Sequence, residues 1–280
     1  MTYCLGIITK YGLVMASDSR SNAGNDQVNV CRKMHIFETP GQRVLTLLSA
    51  GSLSCTQSII TLLRREFDQG NGLAAVTNMY DAARVVGQQI RAIIELDRAS
   101  LERDNLSCSV SILLGGQISG EKPRLFMIYP QGNPLEALED TPYLQLGEVK
   151  YGRPILDRGI RYELTTLEDA AKYALLSLDS TMRSNVTVGP PIDLLAYNAD
   201  ALRITHQRRF GADDSDLQKI RTRWDQALRQ AVQRLPAIRF RVLPDKTAAT
   251  APTSAEESIE LVDATSTDPL VEQYSQKQTK

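Results

Sequence analysis

The chain has 280 residues with an apolar fraction of 42%, which is enough for a sizeable core. Its 32 Lys and Arg residues against 33 Asp and Glu residues give a net charge of −1, so we expect neither nucleic acid nor an anionic membrane surface as a partner. No stretch is apolar enough to span a bilayer and no signal-like segment opens the chain, so we expect a cytoplasmic location.

The four cysteines are scattered and form no Cys-x-x-Cys pair, so they indicate buried thiols rather than zinc ligands or a redox motif. The two histidines, His35 and His206, lie in strand-like runs without ligand spacing. No Gly-x-Ser-x-Gly motif and no phosphate-binding loop occurs. We therefore predict no metal site and no cofactor.

Apolar runs predict strands in the first fifty residues. They predict a hairpin over 4–16, a strand that begins at Arg32 and a further strand that ends at Gly51. The polar stretch Ser21 to Asn29 interrupts them and predicts an exposed loop near the site.

Helical spacing then predicts two helices, over 53–67 and 73–103. The middle of the chain returns to strands, at about 107–117 and 123–129, with a short one at 143–147.

The later part of the chain alternates again. A helical region is expected within 151–161, and Thr165 followed by Glu168 is typical of a capping box for a helix to about residue 183. The remaining predicted elements are strands at 186–197 and 202–207 joined as a hairpin, an amphipathic helix over 213–235 that Pro236 ends, and a last strand at 238–242.

This element order predicts an α+β fold, a four-layer αββα sandwich of two antiparallel sheets with helices on both outer faces. We assign it to residues 1–243. From about Pro244 the composition becomes rich in Ala, Thr, Ser, Glu and Pro, which predicts a disordered or loosely docked tail over 244–280. Within it, Ile259 to Val262 is a candidate docking segment, although a solvated tail is the simpler expectation.

Thr2 is the first candidate for chemistry. Removal of Met1 would leave an α-amino group and a hydroxyl on one residue, and an α-amine has a pKa near ~8, close enough to neutrality to act as a base. Many chains begin Met-Thr without any such role, so the dipeptide alone does not carry the hypothesis.

The motifs that follow carry a resemblance. They are Thr-Tyr-Cys-Leu-Gly-Ile at 2–7, Ala-Ser-Asp-Ser-Arg at 16–20, Arg-Lys-Met-His-Ile-Phe at 32–37 and Leu-Ser-Ala-Gly at 48–51. Together they resemble the proteasome β-subunit superfamily, the N-terminal threonine hydrolases, and within it the bacterial ancestral β-subunit family, Anbu. The resemblance implies the same αββα sandwich.

By this resemblance Thr2 is the nucleophile, Asp18 and Lys33 form a charge pair, and the backbone N–H of Gly51 stabilises the oxyanion. A lysine beside the Thr2 amine would lower its pKa by disfavouring a second positive charge. Taken singly, Lys33 could be an edge-strand charge, Asp18 a turn residue and Gly51 a helix-entry turn. Taken jointly with Thr2, the functional interpretation is favoured.

The supporting residues depart from the family pattern. Where the family has a Gly-Ser-Gly turn beside the threonine amine, this chain has Gly147-Glu148, and a carboxylate there would favour the ammonium form. Asp179 and Ser184 are candidates for the family's late Asp and Ser. Substrate would lie extended between Asn22 and the turn that begins at Ser49.

The leading hypothesis is a threonine peptidase that acts on peptide or protein substrates, assembled from identical subunits as a ring or an open spiral. The assembly is implied by the resemblance alone. Two alternatives stay open: a small-molecule amidase of the same fold, and a structural ring subunit that has lost turnover.

Overall fold

The computed structural model describes residues 2–23, 27–103, 109–241 and 259–261. The chain divides into two compact units, residues 1–221 and 222–280. The predicted domain boundary after residue 243 stays a prediction.

The first sheet contains both strands of the predicted N-terminal hairpin at its centre. Its strand order is β10-β1-β2-β11-β12, and all neighbours are antiparallel. The bounds are β1 Tyr3–Thr9, β2 Gly12–Asp18, β10 Tyr143–Gly147, β11 Ile192–Asn198 and β12 His206–Phe210.

The second sheet has the order β5-β6-β7-β8-β9 and is also antiparallel throughout. Its strands are β5 Met34–Thr39, β6 Arg43–Gly51, β7 Val110–Ile118, β8 Arg124–Ile128 and β9 Pro134–Glu136. The short β9 was not predicted, because three residues carry too little pattern to mark a strand.

Two short strands replace the loop predicted over Ser21 to Asn29. β3 Arg20–Ala23 and β4 Gln27–Val30 pair as an antiparallel hairpin. The loop prediction was wrong because a stretch rich in polar residues carries little apolar alternation, which is the sequence signal for a strand.

Each of the five predicted helical segments contains an α-helix in the described part of the chain. They are α1 Leu53–Asp68, a 3₁₀ turn at Gly72–Ala74, α2 Met79–Arg103, α3 Arg153–Gly159, α4 Leu167–Ser184 and α5 Ser215–Gln233. The second helix begins at Met79 rather than at residue 73, because Asn78 Oδ1 caps it by accepting from Asp81 N at 2.8 Å.

Other predicted boundaries also differ from the structure. The strand expected at 202–207 is β12 His206–Phe210. The cap of α4 is Thr166, whose hydroxyl accepts from Asp169 N at 3.1 Å, and not Thr165. The strand expected from residue 186 begins at Ile192, because Pro190 and Pro191 have no N–H for the ladder.

Three buried clusters define the layers. One lies between the second sheet and the pair α1 and α2, and another lies between the first sheet and the pair α3 and α4. The third lies between the two sheets. Successive side chains of β1 point to opposite faces of the first sheet. Tyr3, Leu5 and Ile7 face the helices, whereas Cys4 and Ile8 face the other sheet. The predicted four-layer αββα sandwich is confirmed.

In the second unit, β13 Arg239–Arg241 pairs antiparallel with β14 Ile259–Leu261. The candidate docking segment therefore includes a strand. The rest of the predicted tail, 244–258 and 262–280, lies outside the described residues.

We expect the interface between the sheets to be sensitive to cavities. Leu113, fully buried in the cluster between the sheets, should cost about 2–5 kcal/mol of unfolding free energy when changed to Ala. Urea unfolding followed by circular dichroism measures the change. The matched control is Leu164→Ala at a side chain that is 77% exposed, and an equal loss in both variants would contradict the assignment of the core.

Candidate functional site

A cavity of about 480 Å³ opens where β1, the start of β5 and the end of β6 meet the first turns of α1. Thr2, Lys33, Ser49 and Gly51 of the predicted site all line it. The other residues of its wall are Ser21, Cys31, Arg32, His35, Ala50, Leu53, Thr56, Gln57, Ile60 and Thr61. The structure thus brings together predicted site residues that are up to 49 positions apart in the sequence, from Thr2 to Gly51.

Asp18 ends β2 and is fully buried. Its Oδ1 accepts from Tyr3 N at 3.0 Å and from Lys33 Nζ at 2.6 Å. Its Oδ2 accepts from Arg20 N at 3.1 Å and Gly189 N at 3.3 Å. Four donors therefore surround one carboxylate, as a buried charge requires.

Lys33 lies one residue before β5 and is 6% exposed. Besides Asp18, its Nζ donates to Arg20 O at 2.7 Å, and its own carbonyl accepts from Ser49 N at 3.1 Å. Burial raises the pKa of the Asp18 carboxyl above its ordinary value, and the Lys33 ammonium and the N–H groups of Tyr3 and Gly189 oppose that shift.

The backbone of Thr2 is held by the segment after β10. Thr2 O accepts from Glu148 N at 2.8 Å. Gly147 has φ +82°, and a Cβ added there would lie 1.8 Å from Thr2 O, so only glycine permits this approach. Met1 lies outside the described residues.

Gly51, the last residue of β6, has φ +121°. A Cβ at this position would lie 2.0 Å from Ser109 O, so a larger residue would force β6 away from β7. Ser49, two residues earlier, is 5% exposed and presents its surface to the cavity. Gly51 therefore lies at the cavity wall, and its role as the oxyanion donor stays a prediction.

Glu148 is buried beside Thr2. Its Oε2 accepts from Asn185 Nδ2 at 2.8 Å, and its Oε1 lies 3.4 Å from Lys150 Nζ. Asn185 was not predicted, because it lies 37 residues from Glu148 and no local pattern marks such a contact.

None of the predicted supporting residues Glu148, Asp179 and Ser184 lines the cavity. Asp179 on α4 forms ion pairs with Arg183, at 2.9 Å, and with Arg221. Ser184 is the last residue of α4 and is exposed. Asn22 belongs to β3, but its side chain lies outside the described residues. Supporting or substrate-binding roles for Asp179, Ser184 and Asn22 stay predictions.

One wall of the cavity was not predicted at all. Thr56, Gln57 and Ile60 on α1 face it, although the helical pattern marked Ile60 only as an apolar residue. Arg32 and His35 also line it. Helical periodicity locates a face of α1 but does not reveal which partner that face meets.

Among these residues, His35 has an unpaired buried nitrogen and a strongly lowered pKa. Within the described part of the chain its buried Nε2 has no hydrogen-bond partner. Burial, and to a smaller extent the Arg64 guanidinium, lower its pKa from 6.5 to about 4. The imidazole is therefore neutral at neutral pH.

Among the residues that the structure describes, no group of three or more His, Cys, Asp and Glu side chains could hold a metal ion. None of the described helices is both long and apolar enough to cross a membrane. Cys4 and Cys55 are buried and Cys31 is partly exposed, whereas Cys108 lies outside the described residues.

Comparison with known proteins identifies the class. The profile of the family described as Proteasome subunit matches residues 2–195. The proteasome subunit beta of Halobacterium salinarum is 25% identical over 211 residues, which cover 75% of this chain and 79% of the relative. This chain belongs to the proteasome subunit family.

Solved structures narrow the assignment. Anbu (ancestral beta-subunit) from Yersinia bercovieri is 44% identical with a TM-score of 0.78, over 84% of this chain and 98% of that one. The Anbu (Gly-1) mutant from Hyphomicrobium sp. strain MC1 is 43% identical with a TM-score of 0.79, over 85% and 99%. The helical assembly of the Anbu complex from Pseudomonas aeruginosa contains a chain that is 43% identical with a TM-score of 0.79, over 88% and 99%. Within the family, the chain groups with the Anbu proteins.

The lowered pKa of His35 predicts a pH dependence of stability. As the pH falls from about 6.5 to about 4, the unfolded chain takes up the imidazole proton before the folded protein does, so the free energy of unfolding decreases. At about 1.4 kcal/mol per pKa unit the full loss is about 3 kcal/mol. Urea unfolding at a series of pH values should give a smaller decrease for His35→Gln than for the parent.

The matched control is His206→Gln, because His206 is the only other histidine and is exposed. It should keep the pH dependence of the parent. If His35→Gln and the parent lose stability in parallel over this range, the folded environment does not depress the pKa of His35.

Proposed function

We propose that this chain is a threonine peptidase that hydrolyses peptide bonds with Thr2 as its nucleophile after removal of Met1. The observation that supports this most is the shared cavity: Thr2 lines it together with Lys33, whose ammonium is buried at 2.6 Å from Asp18. A buried cation in the same cavity as the threonine is what this chemistry needs in order to lower the pKa of the amine.

In the proposed reaction, Thr2 Oγ1 attacks the carbonyl carbon of the substrate and its proton passes to the Thr2 amine. Lys33 makes a second positive charge unfavourable nearby, which keeps more of that amine neutral and able to accept the proton. The Gly51 N–H would stabilise the oxyanion. Collapse of the tetrahedral intermediate breaks the C–N bond, the leaving amine takes the proton, and water later hydrolyses the ester on Thr2.

A homo-oligomeric assembly in the cytoplasm completes the proposal. The Pseudomonas aeruginosa Anbu complex, whose chain is 43% identical, forms a helical assembly. An assembly that enclosed the cavity beside Thr2 would restrict access to unfolded peptide.

A catalytically weak structural subunit is the second candidate, and Glu148 favours it. Its buried carboxylate lies where the resemblance expects a serine near the threonine amine. A negative charge there would stabilise the ammonium form and reduce base strength. The small-molecule amidase differs from both in needing no enclosed chamber.

The nucleophile can be tested directly. Mass spectrometry of the purified protein should find Thr2 at the N-terminus, and a threonine-reactive electrophile should label that residue. Thr2→Ala should reduce hydrolysis of a peptide library by on the order of 10⁴-fold or more, because the attacking hydroxyl is gone. Thr2→Ser should retain measurable turnover.

Thr141→Ala is the matched control, since Thr141 is exposed and lies outside the cavity. It should hydrolyse the library like the parent. Equal activity in Thr2→Ala and the parent would reject the peptidase proposal, and a retained Met1 would do so as well. Absence of turnover in a correctly processed parent would favour the structural subunit.

Assembly gives a separate prediction. Light scattering coupled to gel filtration should give a mass several times the 31.0 kDa of one chain. A monomer at micromolar concentration cannot enclose a chamber. That result, combined with turnover of small amides, would favour the amidase.

A further inference from the structure

The cavity beside Thr2 has an unbalanced charge. Among the described residues that line it, Arg32 and Lys33 are basic and none is acidic. Lys33 is not a free charge, because its ammonium is paired with Asp18 at 2.6 Å and donates to Arg20 O. The remaining charge at this wall is that of Arg32.

Arg32 is exposed and has no ion pair within the ranges that the structure describes. It also borders a second recess of about 290 Å³, which contains Asp193. That carboxylate is already bound by Arg209 Nη1, at 2.8 and 2.6 Å, and by Ser19 Oγ at 3.2 Å. Asp193 therefore does not neutralise Arg32.

The rest of the cavity wall is neutral. His35 carries no charge at neutral pH, because burial lowers its pKa to about 4. Thr56, Gln57 and Ile60 on α1 form the opposite side. A side chain that enters the cavity therefore meets hydrogen-bonding groups and one positive charge.

We propose that Arg32 makes this cavity select substrates with an acidic side chain, glutamate or aspartate, next to the peptide bond that Thr2 attacks. The proposal rests on the proposed function for the identity of the reaction. It adds the substrate class and the residue that determines it. A lysine or arginine side chain at the same position would meet like charge and, among the described lining residues, no compensating carboxylate.

The size of the preference follows from the exposure of Arg32. An exposed charge pair contributes little binding free energy. Because Arg32 would attract a glutamate peptide weakly and repel a lysine peptide weakly, the glutamate peptide should bind roughly tenfold more tightly at low salt. Screening should reduce this ratio as salt rises, because the Debye length shortens from ~30 Å at 0.01 M to ~10 Å at 0.1 M.

The experiment measures binding separately from turnover. Fluorescein-labelled hexapeptides Ala-Ala-Ala-X-Ala-Ala, with X as Glu, Gln or Lys, are titrated with the full-length Thr2→Ala protein and followed by fluorescence polarisation. The readout is the ratio of dissociation constants for the Lys and Glu peptides. A ratio cancels any general loss of folded protein, which matters because Arg32 neighbours Lys33.

With the Thr2→Ala background, Arg32→Lys should preserve the preference, Arg32→Gln should abolish it and Arg32→Glu should reverse it. Lys122→Glu is the control of equal charge change, because Lys122 is exposed in the turn between β7 and β8 and lies outside the cavity. It should leave the ratio of the parent unchanged.

Equal binding of the three peptides, no detectable binding, or an unchanged ratio in Arg32→Glu would each overturn the role of Arg32. The protein with an intact Thr2 is assayed for hydrolysis of the same peptides. Hydrolysis without a preference for glutamate would reject this inference alone, whereas selective binding without hydrolysis would reject the peptidase proposal and leave acidic selectivity standing.

Discussion

The ion pair between Asp18 and Lys33 is the interaction on which the site depends. Burying two charged groups away from water costs roughly several kcal/mol of free energy per ion, unless both groups are hydrogen-bonded. Here the Asp18 carboxylate accepts from Lys33 and from the backbone of Tyr3, Arg20 and Gly189. These donors come from β1, β3, the segment before β5 and the loop before β11, so one carboxylate fixes four parts of the chain around the N-terminus.

The two sheets explain why the cavity forms at this end. β1 belongs to the first sheet and β6 to the second, and the Cys4 thiol donates to Ser49 O across them at 3.7 Å. The apolar cluster between the sheets sets their separation. Thr2 and Gly51 therefore meet because each lies at the end of a central strand, on sheets whose packing is determined by residues elsewhere.

Much of this could be predicted from the sequence, for reasons visible in particular residues. Continuous apolar runs marked β1, β2 and β6, and the resemblance identified Thr2, Lys33 and Gly51, all of which line the cavity. What could not be predicted lacks a local signal. The β3–β4 hairpin is polar, and the contact between Glu148 and Asn185 joins positions that only the tertiary fold brings together.

The backbone and the side chain of Glu148 make separate contacts. Its backbone N–H holds Thr2 O at 2.8 Å, and this contact depends on the positive φ of Gly147 rather than on the side chain at 148. The carboxylate instead bonds Asn185 and Lys150. The position of Thr2 therefore depends on the backbone at 147–148 and not on the identity of the side chain at position 148.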